Sequence, residues 1–362
     1  MATEFESTRG SEIPTKLDSA VVKRIAIDLG FDWSGVAPAV SPPGYPRFLE
    51  WLEADRHAGM DYMKRLAAAR AHPQSVLEGV RSIVVVALVY GAGDESAAAD
   101  PRLGVTARYA RGIDYHKVFW RRLQMLLDRI REIDPAVRGR AVCDTAPLLE
   151  RDFAALAGLG WIGKNTMMIS KKFGSFTLLG GLLIDLDLEP DSAHETNHCG
   201  TCTRCLDACP TSAFDGAYRL DANRCLSYWT IEHRGTIPEE FADRLEGRLF
   251  GCDICQDVCP WNRKAPKART AELAERGEWV NVDLIELLAA DDEAISRRLS
   301  GSALKRAKRS GLLRNAALIL GTRRVVEAIP ALVARSTDRD PVVSEAAIWA
   351  IERITSRDSE PQ

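Results

Sequence analysis

"CGTCTRCLDACP", residues 199–210, sets Cys199, Cys202, Cys205 and Cys209 at steps of three, three and four, with Pro210 directly after the last. A shortened echo, "CDICQDVCP" at 252–260, carries Cys252, Cys255 and Cys259 at matching offsets, but Leu249 stands where its first cysteine would fall. Cys225 is the one cysteine between the two runs. The whole stretch is rich in turn formers, so it is ordered by what its sulfurs hold and not by a large apolar core.

The spacing C-x2-C-x2-C-x3-C-P is the bacterial ferredoxin run, in which three close thiolates grip one 4Fe-4S cube and the fourth reaches a second cube. Crossing the fourth cysteines gives two sets: Cys199, Cys202, Cys205 and Cys259, then Cys209, Cys225, Cys252 and Cys255. Structural zinc sites rarely need a third cysteine two residues on and a fourth followed by proline. Cys143 is left over at the end of a strand, where a buried cysteine is usually a small hydrophobe. Two cubes move single low-potential electrons. A ferredoxin-like carrier would need little beyond this block, whereas some 190 residues precede it, room enough for a cofactor and a substrate; an enzyme is expected.

The remaining composition is that of a globular protein: 362 residues, 46% hydrophobic, with 48 basic against 51 acidic residues and a net charge of −3. No global field draws it to nucleic acid. The N-terminal "MATEFESTRGSEIPTKLD" lacks an apolar segment and a twin-arginine pair, and the longest apolar runs, 83–90 and 176–184, are too short to span a bilayer. A cytoplasmic protein with no membrane association is expected, and in a reducing cytosol clustered cysteines hold metal.

Apolar residues at helical spacing over 16–30, a valine-rich strand at 81–90, an amphipathic helix at 115–133 and strands at "GRAVCD" and "SFTLLGGLLIDLDL" alternate, so residues 1–190 read as one α/β or α+β domain. Residues 191–268 form the ferredoxin-like two-cluster domain. Residues 269–362 are charged helices in which "LRNAALIL" at 313–320 aligns with "VSEAAIWA" at 343–350, a period suiting HEAT-like stacked pairs, though one helical bundle would also use such alanines.

"GLGWIGKNT" satisfies G-x-G-x-x-G through Gly158, Gly160 and Gly163, but a helix precedes it and none follows, the reverse of a dinucleotide fingerprint. The loop either brings backbone amides and Lys164, Asn165 and Thr166 to a ligand or is a plain helix C-cap. Asp144, in "CDTAPLLER", stands where a strand ends and a helix with Pro147 in its first turn begins. It is either that helix's cap or an acid projecting into a pocket, its pKa raised by partial burial. From 294 to 326 nine basic residues occur without an acidic one: Arg297, Arg298, Lys305, Arg306, Lys308, Arg309, Arg314, Arg323 and Arg324. Such a run suits RNA phosphates.

Taken in order, "CDTAPLLERDFAALAGLGWIGKNT", the cysteine run, "NRCLSYWTIEHRG" and "FGCDICQDVCPWN" resemble the epoxyqueuosine reductases, cobalamin-dependent iron-sulfur enzymes that reduce epoxyqueuosine at the tRNA wobble position to queuosine. The resemblance implies an α+β fold whose first domain is an α/β-type cobalamin-binding domain related to reductive dehalogenases, with cobalamin bound base-off because no D-x-H-x-x-G motif supplies a cobalt ligand. It implies a proton-donor role for Asp144 and corrinoid contacts from Gly163, Lys164, Asn165 and Thr166. Arg108, Tyr109 and Arg111 are implied at the pocket. The basic run itself, through Lys305, Arg306, Lys308, Arg309, Arg314, Arg323 and Arg324, is expected to meet the tRNA, and an external low-potential electron donor and a monomeric enzyme are expected. A corrinoid reductive dehalogenase-like reductase is the nearest rival; it typically carries a twin-arginine leader and ends soon after its clusters.

Overall fold

The computed structural model describes residues 17–91 and 100–356, so the stretch read for an export signal lies almost wholly outside it. Strand β1 spans Trp33–Pro38 and β2 Ser82–Val89. Next come β3 at Leu103–Thr106, β4 at Gly139–Val142, and the short pair β5 (Trp161–Ile162) and β6 (Met168–Ile169). The last three are β7 (Thr177–Ile184), β8 (Arg248–Phe250) and β9 (Asn281–Asp283).

The central sheet runs β1-β2-β7-β4. Every residue of β2 is buried, because this strand has a helical layer on each side. Side chains alternate across a strand. Accordingly Val84, Val86 and Leu88 meet Val22 and Ala26 of the Ser19–Asp28 helix and Val118, Phe119 and Leu123 of the Tyr115–Ile133 helix. Ile83, Val85 and Ala87 meet Phe153 and Ala154 of the Glu150–Leu156 helix. Each valine, leucine, isoleucine and phenylalanine among them contributes about 1.5–3 kcal/mol by leaving water. Gly180 lets the long helix lie close on β7, since a Cβ there would strike the Phe119 ring.

All three pairings in this sheet are antiparallel. The architecture is therefore α+β, and the expected α/β-type first domain is corrected: the helices cover an antiparallel sheet and do not cross over between parallel strands.

A second sheet, β8-β3-β9, draws strands from all three expected regions. One apolar core continues from Leu226, Leu245 and Phe250 through Trp279 and Leu287 to Leu313, Ala317 and Ala350. The expected break between residues 268 and 269 is thus no break in packing, because the cluster block lacks apolar residues for a core of its own and shares that of the C-terminal helices. At the centre lies the Lys308–Thr322 helix, buried without interruption from Gly311 to Gly321. It packs on the Pro341–Thr355 helix, with Ala316 and Ala317 on one and Ala346 and Ala347 on the other all buried. No helix among the described residues is long and apolar enough to cross a membrane.

Candidate active site

The clustered cysteines gather around two cavities. Cys199, Cys202, Cys205 and Cys259 line one of about 250 Å³. Cys209, Cys225, Cys252 and Cys255 line another of about 400 Å³. Among the described residues no three Cys, His, Asp or Glu side chains converge where a single ion would sit. Burial pushes the Cys205 thiol up to about 11 and the Cys252 thiol up to about 12, so metal binding must displace protons from both. The backbone amide of Ala213 donates to Cys209 Sγ at 3.2 Å. Cys143 is buried apart, its thiol 3.4 Å from the Leu179 carbonyl.

Between the two cavities stands the "GWIGKNT" loop, the tip of the β5–β6 hairpin. Gly160 is required where the hairpin closes, since a Cβ there would strike the Ile169 carbonyl. Asn165, 3% exposed, lines both thiol cavities and donates from Nδ2 to the Cys255 carbonyl at 3.2 Å. Lys164 turns the other way: its Nζ donates to the carbonyls of Gly200 at 2.7 Å and Cys202 at 3.0 Å. Its side chain therefore clasps the outer cysteine loop and lines only the smaller cavity. Gly163 lines none of the three cavities; its Cα faces Ile169. Thr166 reaches the larger thiol cavity and a third, of about 410 Å³, that adjoins it.

Asp144, Arg151 and Leu220 are likewise common to those two larger cavities. Asp144 does not cap a helix that begins near Pro147, because residues 143–149 are bends and irregular backbone and the helix starts at Glu150. Its backbone is left-handed, at φ 59°, and its N–H donates to Glu150 Oε1 at 2.7 Å. Tyr115 donates from its hydroxyl to Asp144 Oδ2 at 3.1 Å, and His116 Nε2 lies 3.6 Å from the same oxygen. The expected rise in the Asp144 pKa, and the partial burial behind it, are corrected: its side chain is 66% exposed, and the His116 imidazole, with Tyr115 in support, holds the carboxyl below its usual range. For His116, burial favours the neutral ring, but Asp114 and Asp144 outweigh it and lift the imidazole to about 9. Burial, with the Asp144 charge added, pushes the Glu150 carboxyl up to about 8.

Tyr115, His116 and Glu150 are the neighbours of Asp144 that sequence reasoning did not name. The linear signal for the first two was the D-Y-H run at the start of the long helix, where Asp114 accepts from the His116 amide as an N-cap. Of the residues expected from the neighbouring stretch, Tyr109 lines the larger thiol cavity. Arg108 and Arg111 do not. Arg108, 4% exposed, is ion-paired to Asp253 and Asp257 and lies over the Phe176 ring. Arg111, 2% exposed, bonds the Thr106 carbonyl and Glu275. Both guanidiniums pin the first domain to later segments.

The basic run is dispersed by folding. Arg314 is 1% exposed and donates to the carbonyls of Trp229, His233 and Gly235, so it cannot reach RNA. Its burial lowers the guanidinium to about 10. Arg309 pairs with Asp292 and Asp338, and Arg323 donates to the carbonyls of Pro101 and Leu103. Lys305, Arg306, Lys308 and Arg324 stay exposed, with Arg306 held bidentate by Glu232 at 2.8 and 2.9 Å.

Comparison with known proteins gives this geometry its class. Residues 198–262 match the family described as a 4Fe-4S double cluster binding domain, which makes the chain an iron-sulfur protein. Residues 70–145, ending just past Asp144, match "Epoxyqueuosine reductase QueG, DUF1730". The epoxyqueuosine reductase of Pseudomonas aeruginosa is 41% identical over 331 residues, covering 90% of this chain and 91% of that protein. That of Escherichia coli is 36% identical over 339 residues, covering 93% and 89%. The chain belongs to the epoxyqueuosine reductase family. Among solved structures, an epoxyqueuosine reductase with an epoxyqueuosine-modified tRNA stem loop aligns with a TM-score of 0.87 at 30% identity, over 93% of this chain and 90% of that one. The Bacillus subtilis enzyme, in a form whose catalytic aspartate loop is swung out of the active site, aligns at 0.86 and 29% identity, over the same shares of the two chains.

Proposed function

We propose that this enzyme reduces the epoxide of epoxyqueuosine at the wobble position of tRNA to the alkene of queuosine, with two 4Fe-4S clusters and base-off cobalamin. The observation that carries the reading is the meeting of Asp144 with Cys209, Cys225, Cys252 and Cys255 on one cavity wall. A proton donor and an electron outlet then face the same space.

Cysteines 199, 202, 205 and 259 hold the outer cluster, and 209, 225, 252 and 255 the inner one. A low-potential one-electron carrier supplies the electrons. Cobalamin suits the residues of the larger thiol cavity. Thr177 Oγ1 is buried there without a hydrogen-bond partner, and Asn165 and Thr166 add polar groups, so these residues would hold the corrinoid. No histidine is among the described residues of that wall, which fits binding with cobalamin's own base detached. When bound, it supplies a low-valent cobalt centre that can reduce a carbon–oxygen bond.

The chain's own residues do the rest. Asp144 presents its carboxyl to the epoxide oxygen, and Tyr115 and the Glu150 side chain orient it. The adjoining cavity offers Phe48 and Trp51, ring centroids 6.1 Å apart and 26° from coplanar, with Arg47 and Arg70 nearby, a wall suited to an extruded base. HEAT-like C-terminal helices present Lys305, Arg306, Lys308 and Arg324 to the tRNA backbone, and the reaction takes place in the cytoplasm. Anaerobic purification with added cobalamin, iron and sulfide analysis, and nucleoside mass spectrometry of epoxyqueuosine-containing tRNA under reduction test the reading. Queuosine should appear; zinc in place of iron and sulfide, or intact epoxide, would overturn it.

A further inference from the structure

His116 has a ring nitrogen for which the structure provides no bond. Its Nδ1 is 2.7 Å from Asp114 Oδ1, which fixes the ring. Its Nε2 is buried and makes no hydrogen bond, with Asp144 Oδ2 3.6 Å away, a few tenths of an ångström beyond bonding reach. The ring is further confined by stacking on Tyr115, centroids 4.1 Å apart, and by Trp120. A carboxylate on Nδ1 selects the state in which Nε2 carries the transferable proton.

We infer that His116 is the residue that loads Asp144 with the proton the epoxide oxygen takes away, with Asp114 positioning its ring. The inference rests on the epoxide-reductase reading and adds a residue to it. Asp144 is held as a carboxylate at neutral pH, so it must be protonated before it can act as an acid. The step is a proton transfer from Nε2 to Oδ2, followed by transfer from that carboxyl to the oxygen leaving carbon. The two electrons come from the low-potential donor, and solvent reprotonates Nε2. Two protons and two electrons convert the epoxide to alkene and water; His116 accounts for at least one of the protons.

The charges around the ring favour this role. Asp114 and Lys117 belong to its own helix and cap, Asp144 faces it from the turn after β4, and Glu150 acts on it from the start of the Glu150–Leu156 helix. Arg306, paired with Glu232 and lying over Tyr62, acts on Asp144 from the C-terminal region. Two carboxylates bracket the imidazole, so it stays charged until the pH rises through about 9.

The test pairs His116→Gln with a direct titration. In holoenzyme of unchanged iron and cobalamin content, His116→Gln should slow turnover at pH 8 by a factor on the order of 10². At pH 5.5 the gap should close to within about ten-fold, because solvent acid reloads Asp144, and added imidazole should restore rate at pH 8. Asp114→Asn should move the alkaline limb of the wild-type profile to lower pH. Nitrogen NMR of ¹⁵N-histidine-labelled, oxidised holoenzyme should show His116 titrating well above an ordinary histidine and shifting down in Asp144→Asn. A variant gap that does not change with pH, or a His116 that titrates normally, would overturn the inference. Wild-type turnover separately decides the reading beneath it, and the NMR titration remains decisive if the variant loses cofactor.

Discussion

Asn165 donates its side-chain amide to the carbonyl of Cys255 at 3.2 Å and so ties the hairpin tip of the first domain to the cysteine block. Its Oδ1 accepts from the Met167 amide at 3.3 Å, leaving the side chain bonded at both ends. Asn165→Ala should therefore leave the Cys255 carbonyl unmatched in a buried place, at about 1–3 kcal/mol. Denaturant unfolding of anaerobic holoenzyme should report that loss, and chelator should strip iron faster from the variant.

Asp144→Asn keeps the size of the side chain and removes the transferable proton. Turnover should drop by about 10²–10⁴ with iron and cobalamin retained. Parallel metal analysis and single-turnover assays check this, and full activity would remove Asp144 from the chemistry.

Arg314 and the lysines at 305 and 308 come from one basic run but should behave oppositely. Arg314→Met strands three carbonyls in a buried position and should cost about 3 kcal/mol of stability. The tRNA affinity of protein that remains folded should hold. Lys305→Glu with Lys308→Glu should leave the melting temperature nearly unchanged. It should weaken tRNA binding and flatten the dependence of log affinity on log salt by about one unit for each phosphate no longer neutralised. Thermal melts beside filter binding at two ionic strengths separate the two effects.

Asp338 governs part of the acid stability. The Arg309 hydrogen bond, with Arg335 and the Asp340 amide adding to it, lowers its carboxyl to about 2. An ordinary unfolded aspartate sits near 4, so the folded pKa is depressed. The stabilisation is complete above pH ~4 and is lost as pH falls toward 2. Asp338→Asn should cost on the order of 1 kcal/mol at pH 7, discounted because Asp292 also serves Arg309, and almost nothing at pH 2. Urea unfolding at both pH values measures the difference.

The grouping of the thiols around two cavities was legible because spacing is local: cysteines three apart on a turn face one cavity, and the last of each run, four residues on, lines the other. The β2 strand was legible for a similar reason, an apolar run short enough to need cover on both faces. Asp144 was found as a residue but the direction of its pKa shift was misjudged, since that depends on His116, which approaches only after the long helix packs on the sheet. The basic run likewise looked continuous until folding brought Asp292, Asp338 and Glu232 to its arginines and drew Arg314 inside. Spacing along the chain settles which atoms a ligand can gather. Charge state and exposure belong to whatever neighbours the fold supplies, because both depend on the local dielectric and on charges a few ångströms away through space.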